Sequence, residues 1–218
     1  MGAKHALKAA LLPAGPAPRT ILAGIARGVR MNIDFADQAR MYLGLYEREL
    51  ARPMRSVLQR GVASFDVGAQ FGYDSLAFAK HTGAQVAAFE YLAECVTQMR
   101  ANFALNPSLA PLITPVEGTV GDRPGRLRLD DWAFGDHGFV PGFIKLDVEG
   151  DEVDVLRSAE RILVEARPAL VVEVHSLRLE DECLAILGMH SYSMRIVPQR
   201  RVCRDHRVIG HNRWITTA

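Results

Sequence analysis

Apolar and polar positions follow one another along most of this chain in a way that predicts strands and helices in turn. Short, continuous apolar runs predict buried strands, whereas longer segments with apolar residues three and four positions apart predict helices. The predicted strands are Val62–Val67, Gln85–Glu90, Ile113–Glu117, Phe143–Asp147 and Ala169–His175, and the predicted helices are Gly72–His81, Leu92–Leu105, about Gly150–Glu165 and Leu179–Leu187. Alternation of this kind indicates a parallel sheet with helices on both of its faces.

The last part of the chain has a different pattern. Ser191–Thr217 predicts two or three strands with no helix between them, which favours an antiparallel strand at the end of the sheet. We therefore predict an α/β fold: a doubly wound, mostly parallel seven-stranded sheet of Rossmann-like type, with an antiparallel strand near the C-terminus.

The first 60 residues lack this alternation. Residues 1–19 are an Ala/Pro-rich lead, residues 20–35 predict one or two short strands around a glycine turn, and residues 36–60 predict a helix that Pro53 kinks or divides. We predict that residues 1–60 form an N-terminal lead and helical cap packed on the core. Residues 61–218 would form the main domain, and the two parts together would make a single globular domain.

One internal segment is irregular. Gly118–Gly142 is rich in glycine and charged residues, and it predicts a short hairpin at Arg126–Leu129 and a loop over the functional site. Because such loops form pocket walls, the segment is expected to contribute to ligand binding.

Composition indicates an ordinary soluble domain. The 218 residues are 49% hydrophobic and 23% charged, with a formal net charge of +1 that argues neither for nor against nucleic acid. Cys95, Cys183 and Cys203 are an odd set, which predicts buried or incidental thiols in a reducing compartment. The apolar patch at Ala9–Leu12 is too short for a signal peptide or a membrane span, so we predict a cytoplasmic protein with no membrane partner.

A glycine-containing loop offers a cofactor site. Phe65–Gly72 is typical of a strand end, a glycine turn and a helix start. Ligands of open α/β sheets bind beyond the carboxyl ends of the strands. There Gly68 lets the backbone approach a ligand, and the helix that begins at Gly72 offers free N–H groups. Glu90 ends the next strand, at a place where an acid accepts the two hydroxyls of a ribose.

Asp66 favours one class of cofactor over another. The dinucleotide fingerprint is G-x-G-x-x-G, and Asp66 stands in place of its first glycine. A carboxylate serves a pyrophosphate poorly but suits the ammonium group of S-adenosylmethionine. The sequence therefore predicts a methyltransferase that binds S-adenosylmethionine. The alternative is a sheet with tight glycine turns and surface acids.

A second group of charged residues lies on the last two predicted parallel strands. Lys145, Asp147 and Glu149 share one face of an extended strand, and Glu173 and His175 share one face of the next. A lysine inside an apolar strand needs a partner, for which we predict Asp147. If the two strands are neighbours, the carboxylates and the imidazole converge at the carboxyl end of the sheet.

These residue types suit methyl transfer, an in-line displacement in which a hydroxyl acceptor is aligned and loses its proton. We predict that Asp147 lies beside the transferred methyl and that His175 is the general base, because imidazole changes its charge near neutral pH. Glu173 and Lys145 complete the predicted catalytic set. Two alternatives stay open: Lys145 as a structural ion-pair partner and His175 as a strand-end histidine. The same set could also hold a divalent cation, although no metal ligand is assigned. Glu152 is expected only to complement a helix N-terminus.

These residues belong to a longer pattern. It consists of Asp66-Val67-Gly68-Ala69, Gly72-Tyr73, Ser75, Phe89-Glu90, Asn102, Asn106, Leu129-Asp130-Asp131, Ile144-Lys145-Leu146-Asp147-Val148-Glu149-Gly150, Glu152, Leu156 and Glu173-Val174-His175. The pattern resembles the FkbM-type S-adenosylmethionine-dependent methyltransferases over about residues 42–176. Glu47 fits the acid that this family carries upstream, and the Lys-x-Asp-x-Glu-Gly segment is the most specific part.

The resemblance implies a class I methyltransferase fold, S-adenosylmethionine as the donor and, usually, O-methylation of a hydroxyl on a sugar, a polyketide or another small metabolite. By position, the resemblance implies that Asp66, Gly68, Gly72 and Glu90 bind the cofactor and that Thr119 and Val120 lie by the adenine. We add Ala69, Tyr91 and Asp147 to the predicted cofactor-binding positions. The sequence departs from the family pattern at Gln70, where Asn is usual, at Tyr91, where Pro is common, and at Ser158, where Gly is common.

The expected partner is a small-molecule acceptor, and a homodimer is an option because the N-terminal segment is apolar. Two other functions stay open. A basic run could contact the phosphates of a nucleic acid; it consists of Arg200, Arg201, Arg204, His206 and Arg207. However, Asp147–Gly150 stands where enzymes that methylate base amines carry an Asn/Asp-Pro-Pro-aromatic motif, so nucleic acid is not the expected substrate. The second alternative is a non-catalytic adenosine-binding module.

Overall fold

The computed structural model describes residues 15–199 and 211–217. Its strands are β1 (Ala17–Thr20), β2 (Arg30–Ile33), β3 (Ser64–Val67), β4 (Val86–Glu90), β5 (Ile113–Glu117), β6 (Phe143–Leu146), β7 (Ala169–Val174), β8 (Arg195–Pro198) and β9 (Arg213–Thr216). Its α-helices are α1 (Ala39–Tyr42), α2 (Ala51–Val57), α3 (Tyr73–Thr82), α4 (Ala93–Ala104), α5 (Leu129–Ala133), α6 (Glu152–Arg157) and α7 (Leu177–Met189). A 3₁₀ turn covers Ala110–Leu112, and a π-helical turn covers Ile162–Ala166.

Seven strands form one sheet in the order β5-β4-β3-β6-β7-β9-β8. Neighbouring strands from β5 to β7 are parallel, whereas β9 is antiparallel to both β7 and β8. The predicted fold class is therefore confirmed. The strand order reverses between β3 and β6, and in open α/β sheets ligands bind at the carboxyl ends beside such a reversal.

The sheet is covered on both faces, which explains why its central strands are mostly apolar, with Asp66, Glu90 and Lys145 as their charged residues. All residues of β3, β4 and β6 are buried. On one face α3, α4 and residues 21–58 enclose a core that includes Phe78 and Phe143. On the other face, α5, α6 and α7 enclose a second core. Edge-to-face aromatic contacts with centroids 5.1 to 5.5 Å apart tie residues 132–139 to that face; they join Phe65, Phe89, Trp132 and Phe139.

The hairpin of β1 and β2 is docked by two buried carboxamides of α4 and of the turn that follows it. Asn102 Oδ1 accepts a hydrogen bond of 2.8 Å from the N–H of Asn32. Asn106 accepts from the N–H of Arg30 at 3.0 Å and donates to its carbonyl at 2.7 Å. These contacts explain why both asparagines belong to the sequence pattern. The division of the chain at residue 60 stays a prediction, and residues 1–14 of the predicted lead lie outside the described residues.

The long helix predicted over residues 36–60 is wrong in its extent. The structure has two short helices there, and the chain between them turns at Gly44 and Glu47, which have φ of +66° and +41°. Pro53 does not divide a helix; it lies in the first turn of α2, where proline is tolerated because its missing N–H has no partner within the helix.

The helix predicted over about residues 150–165 is also divided, after α6. Asp130 is the cause. Its N–H donates to the carbonyl of Ser158 at 2.9 Å, and its carboxylate accepts from the N–H groups of Arg161 and Ile162. The carboxylate thus caps a new helical segment that begins after Ser158. The predicted hairpin at 126–129 is a single bridge between Val120 and Leu127, followed directly by α5.

Two of the cysteines lie in the described part of the chain. Cys95 and Cys183 are free thiols there, whereas Cys203 and the basic run lie outside it. Among the helices of residues 15–199 and 211–217, none combines the length and the apolar character needed to cross a bilayer.

Candidate active site

The loop after β3 fits tightly against the loop after β6. Gly68 has φ of +88°, and a Cβ on it would lie 1.9 Å from the carbonyl oxygen of Asp147. The N–H groups of Gly68 and Ala69 donate to the carbonyl of Phe89, and the N–H of Asp147 donates to the carbonyl of Val67 at 2.9 Å. Only glycine has both the backbone freedom and the small volume that this approach requires.

A cavity of about 400 Å³ opens at this point, at the carboxyl ends of β3, β4 and β6. Its size is within the range of small-molecule sites. Its lining consists of Val67, Gly68, Gln70, Phe89, Glu90, Tyr91, Leu92, Gly118, Thr119, Val120, Arg126, Asp147, Val148, Glu149 and Asp151. Six of the predicted cofactor positions are among these residues. The other three, Asp66, Ala69 and Gly72, lie behind the lining.

The Glu90 carboxylate accepts hydrogen bonds from three backbone N–H groups in two loops that line the cavity. Its Oε1 accepts hydrogen bonds of 2.8 Å from the N–H groups of Tyr91 and Leu92, at the start of α4. Its Oε2 accepts one of 2.9 Å from the N–H of Gln70. A carboxylate has about four lone-pair positions, so three are in use and one is left on Oε2. Without rearrangement, Glu90 has room for one ribose hydroxyl, not for the two that the sequence suggests.

Acids predominate around the cavity. Glu90, Asp147, Glu149 and Asp151 line it, and Arg126 is the one basic residue of the lining within the described part of the chain. The Arg126 guanidinium lies 2.9 Å from the Asp151 carboxylate. The field inside the cavity therefore favours a ligand that carries positive charge.

Lys145 lies beneath the cavity floor, in a buried group that we call the lysine network (Glu47, Asp74 and Lys145). Its Nζ is 2.7 Å from Asp74, 3.0 Å from Glu47 and 3.5 Å from Asp147. The predicted partner, Asp147, is thus the most distant of the three. Burial lowers the pKa of Lys145, but the carboxylates outweigh this and hold that pKa well above its ordinary value. Burial raises the pKa of Glu47 to about 8.

Asp66 is also below the lining. Its Oδ2 accepts a hydrogen bond of 2.5 Å from Ser75 Oγ in α3, and the residue is 1% exposed. Burial, together with the nearby charge of Asp74, raises the pKa of Asp66 to about 7. Contact between Asp66 and a cofactor stays a prediction, since its carboxylate is directed toward α3.

Glu173 and His175 converge with Asp147 at the end of the sheet, as expected if β6 and β7 were neighbours. The two strands are parallel partners, with Leu146 opposite Val172. Asp147, Glu173 and His175 each offer one ligand atom within 4.8 Å of the others, and we call them the acid–imidazole cluster. Burial, together with the charge of Asp147, raises the pKa of Glu173 to about 10.

Glu152 determines how His175 is presented. Its Oε1 lies 2.5 Å from His175 Nδ1, and Glu152 is fully buried. In the tautomer that carries its proton on Nδ1, His175 donates to this carboxylate, and Nε2 is the nitrogen with the free lone pair. His175 Nε2 is buried without a hydrogen-bond partner and lies 3.9 Å from Glu173 Oε1. The expectation that Glu152 only complements a helix N-terminus is therefore wrong.

Sequence reasoning did not find several residues of the site. It did not connect Asp74 or Glu47 with Lys145, because these contacts join elements far apart in the chain. It did not assign Arg126 to the cavity either. Asp74 lies in the first turn of α3, and nothing in the local sequence connects it with Lys145, which is 71 positions away.

Residues 117–200 match the family model of the methyltransferase FkbM domain. The matched segment begins at the end of β5 and includes Asp147 and the whole acid–imidazole cluster. It confirms, over that part of the chain, the resemblance that the sequence predicts.

Solved methyltransferase structures share the fold at low sequence identity. The FkbM methyltransferase of Methylobacillus flagellatus KT has a TM-score of 0.57 and 20% identity, over 72% of this chain and 43% of that one. A SAM-dependent O-methyltransferase of Thermotoga maritima has a TM-score of 0.51 and 16% identity, over 78% of this chain and 64% of that one. Aeropyrum pernix fibrillarin, in complex with natively bound S-adenosyl-L-methionine, has a TM-score of 0.53 and 13% identity, over 73% and 67% of the two chains.

The chain thus spans less than half the length of the FkbM structure that it resembles. No curated protein matches it significantly. The comparisons thus show a methyltransferase fold and a match to the FkbM domain over residues 117–200.

Proposed function

We propose that this protein transfers a methyl group from S-adenosylmethionine to a hydroxyl of a small metabolite or sugar. One observation carries the proposal: an acid-lined cavity at the strand-order reversal adjoins a buried acid–imidazole cluster, and Asp147 belongs to both. The cavity supplies a place for the donor, and the cluster supplies groups that can act on an acceptor.

The charge of the cavity supports S-adenosylmethionine over a dinucleotide. The donor carries a sulfonium and an ammonium, whereas NAD carries a pyrophosphate. Four acids and one ion-paired arginine line the cavity, so they attract the first ligand and repel the second. Glu90 is placed to accept one ribose hydroxyl, and Thr119 and Val120 lie on the same wall, where the resemblance places the adenine.

The reaction at this site is an in-line displacement. A lone pair of the acceptor oxygen forms a bond to the methyl carbon, the carbon–sulfur bond breaks, and S-adenosylhomocysteine leaves as a neutral thioether. The hydroxyl proton must depart during the attack. In the described part of the chain, the acid–imidazole cluster is the group next to the cavity that can assist this step.

The predicted acceptor is a small molecule, and a homodimer stays a prediction. The nucleic-acid alternative rests on a basic run that lies outside the described residues. The described cavity gives it no support, because an acid-rich lining repels phosphates. A non-catalytic adenosine-binding module would need the cavity but not the cluster.

Transfer of a labelled methyl group tests the proposal. Purified protein is incubated with methyl-labelled S-adenosylmethionine and, separately, panels of sugars, hydroxylated small molecules, amines and RNA. We expect label in a hydroxyl compound and none in RNA. Asp147→Asn should keep donor binding and lose transfer, whereas Asp136→Asn, on an exposed loop, should behave as wild type. Equal turnover in Asp147→Asn and wild type would remove Asp147 from the mechanism, and labelled RNA would favour the alternative.

A further inference from the structure

The acid–imidazole cluster has the composition and geometry of a cation site. We propose that Asp147, Glu173 and His175 bind a divalent cation that orients the acceptor hydroxyl and promotes its ionisation. This inference rests on the proposed methyl transfer, whose acceptor would occupy a free coordination position.

The ligand atoms already lie near one another. The three candidate atoms are within 4.8 Å of each other, whereas three ligand atoms at ~2.1 Å around one cation lie about 3.0 to 3.6 Å apart. A contraction of at most about 2 Å therefore brings them to coordination distance. All three side chains are at most 6% exposed, so the site is built inside the protein rather than on its surface.

Two atoms of the cluster lack partners. His175 Nε2 and Glu173 Oε2 are buried and have no hydrogen-bond partner. Burial of an unpaired polar atom is unfavourable unless a ligand or an ion satisfies it. Both residues contribute to the same cluster, which is where a cation would bind.

Glu152 gives His175 the kind of carboxylate contact that orients metal-binding histidines. Metal-ligating imidazoles usually donate their other N–H to a carboxylate, which orients the ring and makes the ligating nitrogen more basic. The Glu152 carboxylate, 2.5 Å from His175 Nδ1, provides this contact and leaves Nε2 free for a cation. A merely structural histidine would need a partner at Nε2 as well.

The buried charges also leave a place for a cation. Glu47, Asp74, Asp147, Glu152 and Glu173 lie close to one another, joined through Lys145 and His175. Within residues 15–199 and 211–217, Lys145 is the one buried lysine or arginine. Its Nζ is closest to Asp74 and Glu47 and lies 3.5 Å from Asp147. A buried carboxyl group keeps its proton unless a positive partner stabilises the ionised form, and a divalent cation at the cluster would be such a partner for Glu173.

The donor set indicates the kind of metal. Two carboxylate oxygens favour Mg²⁺ or Mn²⁺, whereas an imidazole nitrogen favours transition metals, so Mn²⁺ suits the mixture. Three protein ligands leave further positions open, as in catalytic metal sites. An acceptor hydroxyl in such a position would be oriented by the metal, which acts as a Lewis acid on its oxygen.

Manganese binding tests the site without any knowledge of the acceptor. The full chain is titrated with Mn²⁺, and free Mn²⁺ is followed by electron paramagnetic resonance, with and without S-adenosylmethionine. We expect one Mn²⁺ per chain. His175→Ala and Glu173→Gln should each weaken binding by at least about tenfold, and Glu152→Gln by about 10- to 100-fold. His137→Ala, an exposed histidine on a loop, should bind Mn²⁺ as wild type does.

The outcomes separate this inference from the proposed function. Wild type that binds S-adenosylmethionine but no Mn²⁺ overturns the cation site and leaves His175 as a general base. Wild type that binds Mn²⁺ but no S-adenosylmethionine overturns the proposed function and keeps the site. Undiminished Mn²⁺ binding by both His175→Ala and Glu173→Gln also overturns the cation site. Glu173→Gln keeps the side chain's shape, so it decides the matter if His175→Ala does not fold; circular dichroism checks both.

Discussion

Gly68→Ala is expected to be severely destabilising, and Gly61→Ala is its matched control. Both glycines have a left-handed backbone, with φ of +88° and +83°. A Cβ at Gly61 would meet nothing within 4 Å, whereas one at Gly68 would lie 1.9 Å from the Asp147 carbonyl oxygen. The pair therefore separates backbone strain from the steric clash.

The magnitudes follow from these contacts. Left-handed backbone costs a residue with a Cβ about 1–2 kcal/mol, and this is the whole effect expected for Gly61→Ala. At Gly68 the alanine Cβ must also move the Asp147 carbonyl by more than 1 Å, which stretches the hydrogen bond between the Asp147 N–H and the Val67 carbonyl. Loss of a buried hydrogen bond adds about 1–3 kcal/mol, so we expect about 2–5 kcal/mol for Gly68→Ala.

Urea unfolding of both variants measures the difference, and titration with S-adenosylmethionine shows whether the cavity survives. Gly68→Ala should lose donor binding because Asp147 lines the cavity, and Gly61→Ala should retain it. Equal free energies of unfolding for the two variants, with donor binding intact in both, would refute the reasoning from the close approach of the two loops.

Three further outcomes are expected. Glu90→Gln should weaken S-adenosylmethionine binding at least about tenfold in calorimetry, because an amide nitrogen cannot accept hydrogen bonds from the backbone N–H groups. The control Glu94→Gln, at an exposed position, should leave this binding unchanged. Equal affinities of the two variants for S-adenosylmethionine would contradict the role of Glu90. Because burial raises the pKa of Asp66 to about 7, the folded protein keeps a proton there that the unfolded chain releases above about pH 4. The free energy of unfolding of wild type should therefore fall relative to that of Asp66→Asn as the pH rises from about 4 to 7. Urea unfolding at several pH values measures this, and a difference between the two proteins that does not change with pH would contradict it. Asn102→Ala should lower the free energy of unfolding by about 2–3 kcal/mol, because it leaves two backbone groups unpaired. Gln98→Ala, exposed on the same helix, should change it by less than about 0.5 kcal/mol, and a similar loss in both would contradict the docking role.

The parallel part of the fold could be predicted from the sequence because its strands are buried on both faces. Burial on both faces forces continuous apolar runs, as in β4 and β6, and the structure places those strands within two residues of the predicted bounds. The failures are local. Gly44 and Glu47 divide the N-terminal helix, and the carboxylate of Asp130 starts a new helical segment, through contacts that periodicity does not report.

The site was predictable where chemistry follows strand ends. Gly68, Glu90 and Asp147 stand at the ends of strands, and the topology of the sheet alone brings those ends to one cavity. Partners across elements were not predictable. Lys145 binds Asp74 from 71 positions away. Nor does local sequence show that Glu152, at the start of α6, is directed toward His175 rather than toward its own helix.

Calorimetric titration of the purified protein with S-adenosylmethionine and, separately, with NAD tests the central claim most directly. The acid-lined cavity should give saturable binding of one S-adenosylmethionine per chain and no binding of NAD. A folded protein that fails to bind S-adenosylmethionine, or that binds NAD instead, would contradict the assignment of the cavity and with it the proposed methyl transfer.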